Sequence, residues 1–187
     1  ELADAYLELN MAAEAAEIYA RVAPIFAELG MPVERARALA YHGRAALLLD
    51  QPTQAAELLE AARQLYDAAE MPVGAAITRL TTAQLLMQTG ELDAAAAILA
   101  EVAPRFADAH AEGWRLQTAL LTGIVARRQG ALEQARQLLD TTLTVAEKTL
   151  APQLAQRCAG ELGLTALAVG DAPAAEAYFR QAIDLIE

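Results

Sequence analysis

The sequence is poor in cysteine and in long apolar runs. Cys158 is the single cysteine among 187 residues, so the chain cannot form an internal disulfide and gives no sign of an oxidising compartment. The longest apolar run, at residues 94–100, ends at Glu101 and is too short to cross a bilayer. These absences favour a soluble, cytoplasmic protein.

Basic residues are also scarce. The chain has 14 lysines and arginines against 25 aspartates and glutamates, which gives a formal net charge of −11. Recognition of phosphates needs a basic surface, so this balance argues against a nucleic-acid-binding protein. The same charge disfavours binding to an anionic membrane surface.

Aromatic residues make up only 5% of the chain, although 56% of it is hydrophobic. Alanine and leucine supply most of that fraction, and both are strong helix formers. Apolar burial must therefore come from many small contacts between closely packed helices. A core built from β-strands is not expected.

A repeat of 40 residues organises the sequence. Gly-Met-Pro-Val at residues 30–33 recurs as Glu-Met-Pro-Val at residues 70–73, and more loosely at residues 110–113 and 150–153. Half a repeat away lies a column of residues that tolerate a left-handed backbone, which predicts the turn inside each helical hairpin. The members of this column are Asn10, Asp50, Gly90, Gly130 and Gly170.

Three more columns share this period and predict how the helices pack. Alanine follows each turn residue by five positions, at Ala15, Ala55, Ala95, Ala135 and Ala175. The first helix of each hairpin carries only the smallest residues at Ala3, Gly43, Ala83, Gly123 and Gly163. The second helix carries a large apolar residue at Tyr19, Leu59, Leu99, Leu139 and Phe179. We expect the small positions to receive the large side chains.

Together these columns resemble the signature of the tetratricopeptide-repeat (TPR) family over the whole chain. The resemblance implies an all-α, right-handed α-solenoid of about five TPR-like hairpins, with ten antiparallel helices in one domain. Its units would be 1–32, truncated at the start, then 33–72, 73–112, 113–152 and 153–187. The expected helices are 1–9, 13–28, 33–49, 53–69, 73–89, 93–109, 113–129, 133–149, 153–169 and 173–187.

The 40-residue spacing, the Gly-Met-Pro boundary and the closing segment 175–187 are similar to those of certain bacterial signalling proteins. In one kind a CHAT peptidase domain follows the repeats, and the other comprises LuxR-type and MalT-like regulators. The last helix has apolar Tyr178, Leu185 and Ile186 with no polar capping helix after it. We therefore expect a fragment of a larger protein.

No group of residues suggests catalysis. The sequence contains no His-Glu-x-x-His, Cys-x-x-Cys, Gly-x-Ser-x-Gly or phosphate-binding glycine loop. Cys158 falls where a small buried residue is expected, His42 faces a hairpin interior, and His110 lies in a turn between units. Trp114 is expected to pack over the preceding turn. We predict a non-enzymatic protein with no catalytic, metal-binding or cofactor-binding residues.

Charge is distributed unevenly between the two helices of each hairpin. The first helices of units two to five are rich in arginine, whereas the second helices are acidic. In TPR proteins the first helices line a concave groove, so the resemblance implies a groove that attracts an anionic segment. Its expected residues are Arg37, Tyr41, Arg44, Ile77, Thr81, Gln84, Met87, Gln88, Gln117, Ile124, Arg127, Arg128, Arg157 and Leu164.

These arginines have a second interpretation, because arginine also solubilises alanine-rich helices. Tyr41 could likewise stack on a ligand or simply fill space. We predict an interaction scaffold for a protein or peptide partner with acidic ends and an apolar middle. The alternatives are a regulatory or sensing segment of a bacterial CHAT or LuxR-type effector, and a module that forms homo-oligomers through its uncapped ends.

Overall fold

The computed structural model describes residues 2–9 and 11–185, which form an all-α chain of ten helices. In chain order these are α1 (Leu2–Glu8), α2 (Ala12–Glu28), α3 (Pro32–Leu48), α4 (Pro52–Ala68), α5 (Pro72–Thr89), α6 (Leu92–Asp108), α7 (Glu112–Arg128), α8 (Leu132–Lys148), α9 (Pro152–Ala168) and α10 (Ala172–Asp184). The predicted helical hairpins are confirmed. From α2 onward each helix begins one residue earlier than predicted. Four begin at a proline, which needs no amide hydrogen in a first turn.

One type of turn joins most of the helices. Between α2 and α3, the amide of Met31 donates to the carbonyl of Phe26 at 2.9 Å, and the amide of Gly30 donates to that of Ala27 at 3.2 Å. These two bonds form a Schellman motif, which satisfies the last carbonyls of a helix. The same pair recurs after α8, where Ala151 donates to Ala146 and Leu150 donates to Glu147.

Each turn after α2 places one residue in the left-handed region. The predicted turn residues Asp50, Gly90, Gly130 and Gly170 have φ between 57° and 89°, which confirms them, whereas Asn10 lies outside the described residues. The boundaries between repeats use the same geometry, which the sequence did not predict. There φ is +65° at Gly30, and it is +52°, +51° and +53° at Glu70, His110 and Leu150.

The small residues of the first helices do receive the large residues of the second helices. A Cβ atom built on Gly43 would lie 2.8 Å from Cγ of Leu59, and one on Gly123 would lie 2.7 Å from Cγ of Leu139. On Gly163 it would lie 2.5 Å from the ring of Phe179. At these three positions glycine leaves the room that the contact needs, so the predicted interlocking is confirmed for these three pairs. The five alanines that follow the turns are all at most 1% exposed.

The chain divides into two compact units, Glu1–Glu91 and Leu92–Glu187. The division falls between α5 and α6, inside the third predicted repeat, and the single domain expected from the sequence stays a prediction. The N-terminal unit buries Tyr19, Leu59 and Tyr66. The C-terminal unit has a core of leucines and alanines that includes Leu139 and Cys158.

Candidate binding surface

The first helices of successive hairpins lie side by side within each unit. We call α3, α5, α7 and α9 the first helices and α2, α4, α6, α8 and α10 the second helices. Helix α3 packs on α5 in the N-terminal unit, and α7 packs on α9 in the C-terminal unit. Nη1 of Arg157 donates to Oε1 of Gln117 at 3.4 Å. Residues one repeat apart are therefore neighbours, as the sequence register predicts.

In the N-terminal unit, α3 exposes two of the predicted arginines around a tyrosine. The ring of Tyr41 stacks on that of Tyr19, with centroids 5.6 Å apart and planes 12° apart. The guanidinium carbon of Arg37 lies 5.8 Å from the Tyr41 centroid, within the range of a cation–π contact. Arg44, one turn beyond Tyr41, is exposed. The Tyr41 side chain therefore packs against Tyr19 and also supports the cationic surface formed by the arginines.

The predicted surface residues of α5 are all uncharged. Ile77, Thr81 and Gln84 are half-buried, and the Thr81 hydroxyl donates to the carbonyl of Ile77 at 3.3 Å. Gln88 is exposed, and its Nε2 donates to Oδ1 of Asp50 at 2.9 Å. Met87 is only 7% exposed, so its thioether belongs to the core and offers little to a partner.

In the C-terminal unit, arginines of the same surface are held by neighbours. Nε of Arg127 lies 2.8 Å from Oε2 of Glu161, and the two side chains are 22% and 20% exposed. Arg157 is tied to Gln117, as described above. Ile124 is half-buried and Leu164 is 41% exposed, so they form an apolar pair one repeat apart. Arg128 is exposed.

The sequence prediction missed one residue of the surface. Leu48 is 51% exposed and lies one turn beyond Arg44 on α3. Its signal was present, because it is one repeat before Gln88 and two before Arg128, both of which were predicted. Next to the alanines and leucines at the end of α3, one more apolar residue gives no contrast that marks the surface.

The second helices neutralise much of their acidity internally. Four of them carry an arginine paired with a glutamate three or four residues away, as Arg105 is with Glu101 and Arg180 with Glu176. Arg63 and Gln64 donate to the Glu60 carboxylate and lower its pKa to about 2. These acids belong to an exposed, solvated surface.

The other singled-out residues have structural surroundings. Cys158 is fully buried, and desolvation raises its thiol pKa to about 12, which agrees with a core cysteine. His42 is half-buried, and desolvation lowers its pKa. His110 is exposed in a turn. Trp114, which was expected over the preceding turn, stacks on Phe106 of helix α6, with ring centroids 6.2 Å apart.

Residues 2–9 and 11–185 contain no group of three or more histidine, cysteine, aspartate or glutamate side chains that could hold a metal ion. None of their helices combines the length and apolarity that a membrane crossing requires.

Comparison with known proteins identifies the repeat. Residues 114–187 match the family model described as Tetratricopeptide repeat. No curated protein matches the chain. Solved structures match over almost its full length. One is a kinesin light chain from Podosopora anserina with nearly identical TPR-like repeats, at 21% identity and a TM-score of 0.71, with coverage of 99% of this chain and 92% of that one.

Two other structures show the same fold. BtubC (BKLC) from P. vanneervenii is 17% identical with a TM-score of 0.79, and the match covers 98% of this chain and 76% of that one. The Rap conjugation gene regulator of plasmid pLS20, solved with the Phr* peptide, is 18% identical with a TM-score of 0.85. That match covers 98% of this chain and 51% of the regulator. The chain therefore has an all-α, TPR-like helical-repeat fold.

Residues 114–187 carry the family match itself. These residues comprise nearly all of α7 together with α8, α9 and α10. The preceding helices repeat the same columns at the same spacing, so the likeness to tetratricopeptide repeats extends over the rest of the chain.

Proposed function

We propose that the chain is a non-catalytic scaffold that binds a protein or peptide segment on the faces of its first helices. The observation that carries this proposal is the charge on α3 and α5, which hold four arginines against one glutamate in a chain with a net charge of −11. Such a local reversal of sign attracts anionic segments and steers their approach.

The surroundings of these helices support the same function. Half-buried apolar side chains such as Ile77 and Ile124 lie beside the arginines, and such residues supply contact area at an interface. The pLS20 regulator, which shares this fold, was solved with a bound peptide. A peptide with acidic and apolar residues is the ligand that these faces fit best.

A capture experiment tests the proposal. The chain, as bait in an extract of its source cells, is compared with a variant in which Arg37, Arg44, Arg128 and Arg157 are changed to glutamate. Arg127 is left intact because it pairs with Glu161. A matched control changes arginines of the second helices, Arg21, Arg105, Arg136 and Arg180, to glutamate. Partners lost only by the first variant support the proposal, provided that all three chains have equal helicity and melting temperature. Equal capture by all three contradicts it.

A second candidate function, self-association, has its own observation. Leu167, Phe179 and Ile183 line a hollow of about 410 Å³ on α9 and α10, and Ile183 is 58% exposed. Glu176 and Arg180 also line it. In a two-fold dimer the apolar patches of two copies would cover each other beside the Glu176–Arg180 ion pair of each copy. Light scattering coupled to size exclusion should show a dimer that Ile183→Glu dissociates and Leu150→Glu, on an exposed turn, leaves intact. A monomer at every concentration would exclude it.

A further inference from the structure

One helix of the N-terminal unit presents a continuous stripe of four side chains. Arg37, Tyr41, Arg44 and Leu48 follow one another at intervals of four, three and four residues on α3. This spacing places all four on one face of the helix. We call them the α3 stripe, and they alternate between cationic and apolar character.

The stripe is partly ordered before any partner arrives. Tyr19 is 5% exposed and supports the Tyr41 ring, and the Arg37 guanidinium lies over that ring. A guanidinium held on an aromatic face loses less side-chain freedom when it meets a carboxylate, so binding is favoured. Leu48 adds an apolar side chain, about half of which is exposed to water.

The spacing between Arg37 and Arg44 restricts the secondary structure of the partner segment. The two arginines lie seven residues apart, which is two turns and about 10.5 Å along α3. An extended strand places same-face side chains about 7 Å or about 13 Å apart, so it fits this distance poorly. An α-helix lying along α3 repeats its own face at the same seven residues and fits without adjustment.

We infer that the α3 stripe binds an amphipathic helix of a partner protein whose acidic residues lie seven positions apart. Apolar residues between and beyond these acids would meet Tyr41 and Leu48. The inference rests on the proposed function and specifies its partner. Glu34 is the single acid of α3, and it lies one turn before Arg37, at the end of the stripe.

The equivalent stripes of the C-terminal unit do not fit such a helix. In α9 the position of Tyr41 is taken by Glu161, which would repel an acidic partner. In α7 the same position is Leu121, which is 2% exposed, and the positions of Arg37 and Arg44 are taken by the uncharged Gln117 and Ile124. The acid-paired helix is therefore assigned to the N-terminal unit alone.

A second copy of the chain is another conceivable occupant. Glu133, Asp140 and Glu147 lie seven residues apart on exposed positions of α8. However, Glu133 is paired with Arg136, and Glu147 accepts a hydrogen bond from Gln181. The residues between these acids on that face, Gln137 and Thr144, are polar and would leave Tyr41 and Leu48 without apolar contacts.

Peptide selection tests the inference directly. A phage-displayed library of random peptides about 20 residues long is panned on the immobilised chain. Enriched peptides are synthesised, and their affinities are measured by fluorescence anisotropy for the native chain, Arg44→Glu and Arg21→Glu. Arg21 is an exposed arginine of the same unit but on second helix α2, so it controls for net charge. We expect acids seven apart and a loss of about tenfold or more only with Arg44→Glu.

Each other outcome has a definite meaning. Binders without the acidic pair, or binders that tolerate Arg44→Glu, would overturn the inference and leave the proposed function standing. Binders with proline and acids three apart would replace the helix by a polyproline segment. Dimerisation of the chain that both Arg44→Glu and Asp140→Arg abolish would assign the stripe to a second copy. If no peptide is enriched, the proposed function fails as well.

Discussion

The N-terminal and C-terminal units build the same hairpins but use the surface of their first helices differently. In the N-terminal unit, Arg37 lies on a pair of stacked tyrosines and Arg44 is exposed. In the C-terminal unit, Arg127 is bound to Glu161 and Arg157 contacts Gln117. The N-terminal unit thus presents its arginines around an aromatic surface, whereas in the C-terminal unit Arg127 and Arg157 contact side chains of the neighbouring first helix.

The difference shows which parts of the repeat are constrained. The turn and the contact of glycine with a large side chain recur in both units, as at Gly43 with Leu59 and at Gly123 with Leu139. The surface column of Tyr41, Thr81, Leu121 and Glu161 changes chemistry at every step. Backbone spacing is therefore fixed by packing, whereas partner chemistry is free to vary from repeat to repeat.

The largest expected effect comes from Leu139→Ala in the C-terminal unit. Leu139 is fully buried against Gly123, so its truncation leaves a cavity and should cost about 2–5 kcal/mol of unfolding free energy. Trp114 is the single tryptophan and lies in the same unit. Its fluorescence in a urea titration should therefore report a markedly lower midpoint.

The counterpart Leu59→Ala sharpens the comparison. Leu59 is 1% exposed and fills the same position of the N-terminal unit. Far-UV circular dichroism follows both units, whereas Trp114 follows one. Leu59→Ala should lower the dichroism midpoint more than the Trp114 midpoint, because repeat units are stabilised mainly by their neighbours. Equal shifts in both signals would show that the units unfold as one.

Gly123→Ala should destabilise the C-terminal unit by about 1–3 kcal/mol. The added methyl group would lie 2.7 Å from Leu139, which is itself fully buried and has little room to move. Gly160→Ala in α9 is the matched control, because nothing lies within 4 Å of its Cβ position. In this variant the gain in helix propensity should raise the free energy of unfolding by about 0.5–1 kcal/mol. Thermal unfolding measures both, and the same sign for both would refute the packing argument.

Much of this architecture follows from the sequence because each turn and contact leaves a periodic mark. Gly123 and Leu139 stand in columns of small and large residues, and Asp50 stands in the turn column. The left-handed conformations of Glu70 and Leu150 were not predicted, because neither residue type favours that region. Their conformation follows from the Schellman bonds of the turn, which the fold imposes regardless of side chain.

The binding surface was predicted less completely than the fold. Helix periodicity identifies the face that holds Arg37 and Arg44, but it cannot show that Arg127 meets Glu161 on the next first helix. It also places Met87 on that face, whereas the side chain is buried. Such outcomes depend on the approach of neighbouring helices, which small differences in side-chain volume decide.

Leu150→Gly should stabilise the C-terminal unit by about 1 kcal/mol. Leu150 has φ of +53°, where its Cβ crowds the following carbonyl, and its side chain is 87% exposed, so little packing is lost. Glu70→Gly, at φ of +52°, should do the same for the N-terminal unit. The reverse change, Gly130→Ala at φ of +82°, should destabilise. The urea midpoints of unfolding test all three variants. A lower midpoint for Leu150→Gly would mean that the leucine makes a stabilising contact.

The smallest expected effect compares the arginines themselves. A double-mutant cycle on Arg127→Ala and Glu161→Ala should give a coupling of about 0.5–1 kcal/mol, since both side chains are about one-fifth exposed and only partly screened. Arg44→Ala, in contrast, should change stability by less than about 0.5 kcal/mol, because Arg44 is exposed. Urea unfolding at low and at high salt measures these terms, and salt should weaken the Arg127–Glu161 coupling. If Arg44→Ala destabilised the chain as much as Arg127→Ala, Arg44 would be a structural cation like Arg127, and the contrast between the two units would disappear.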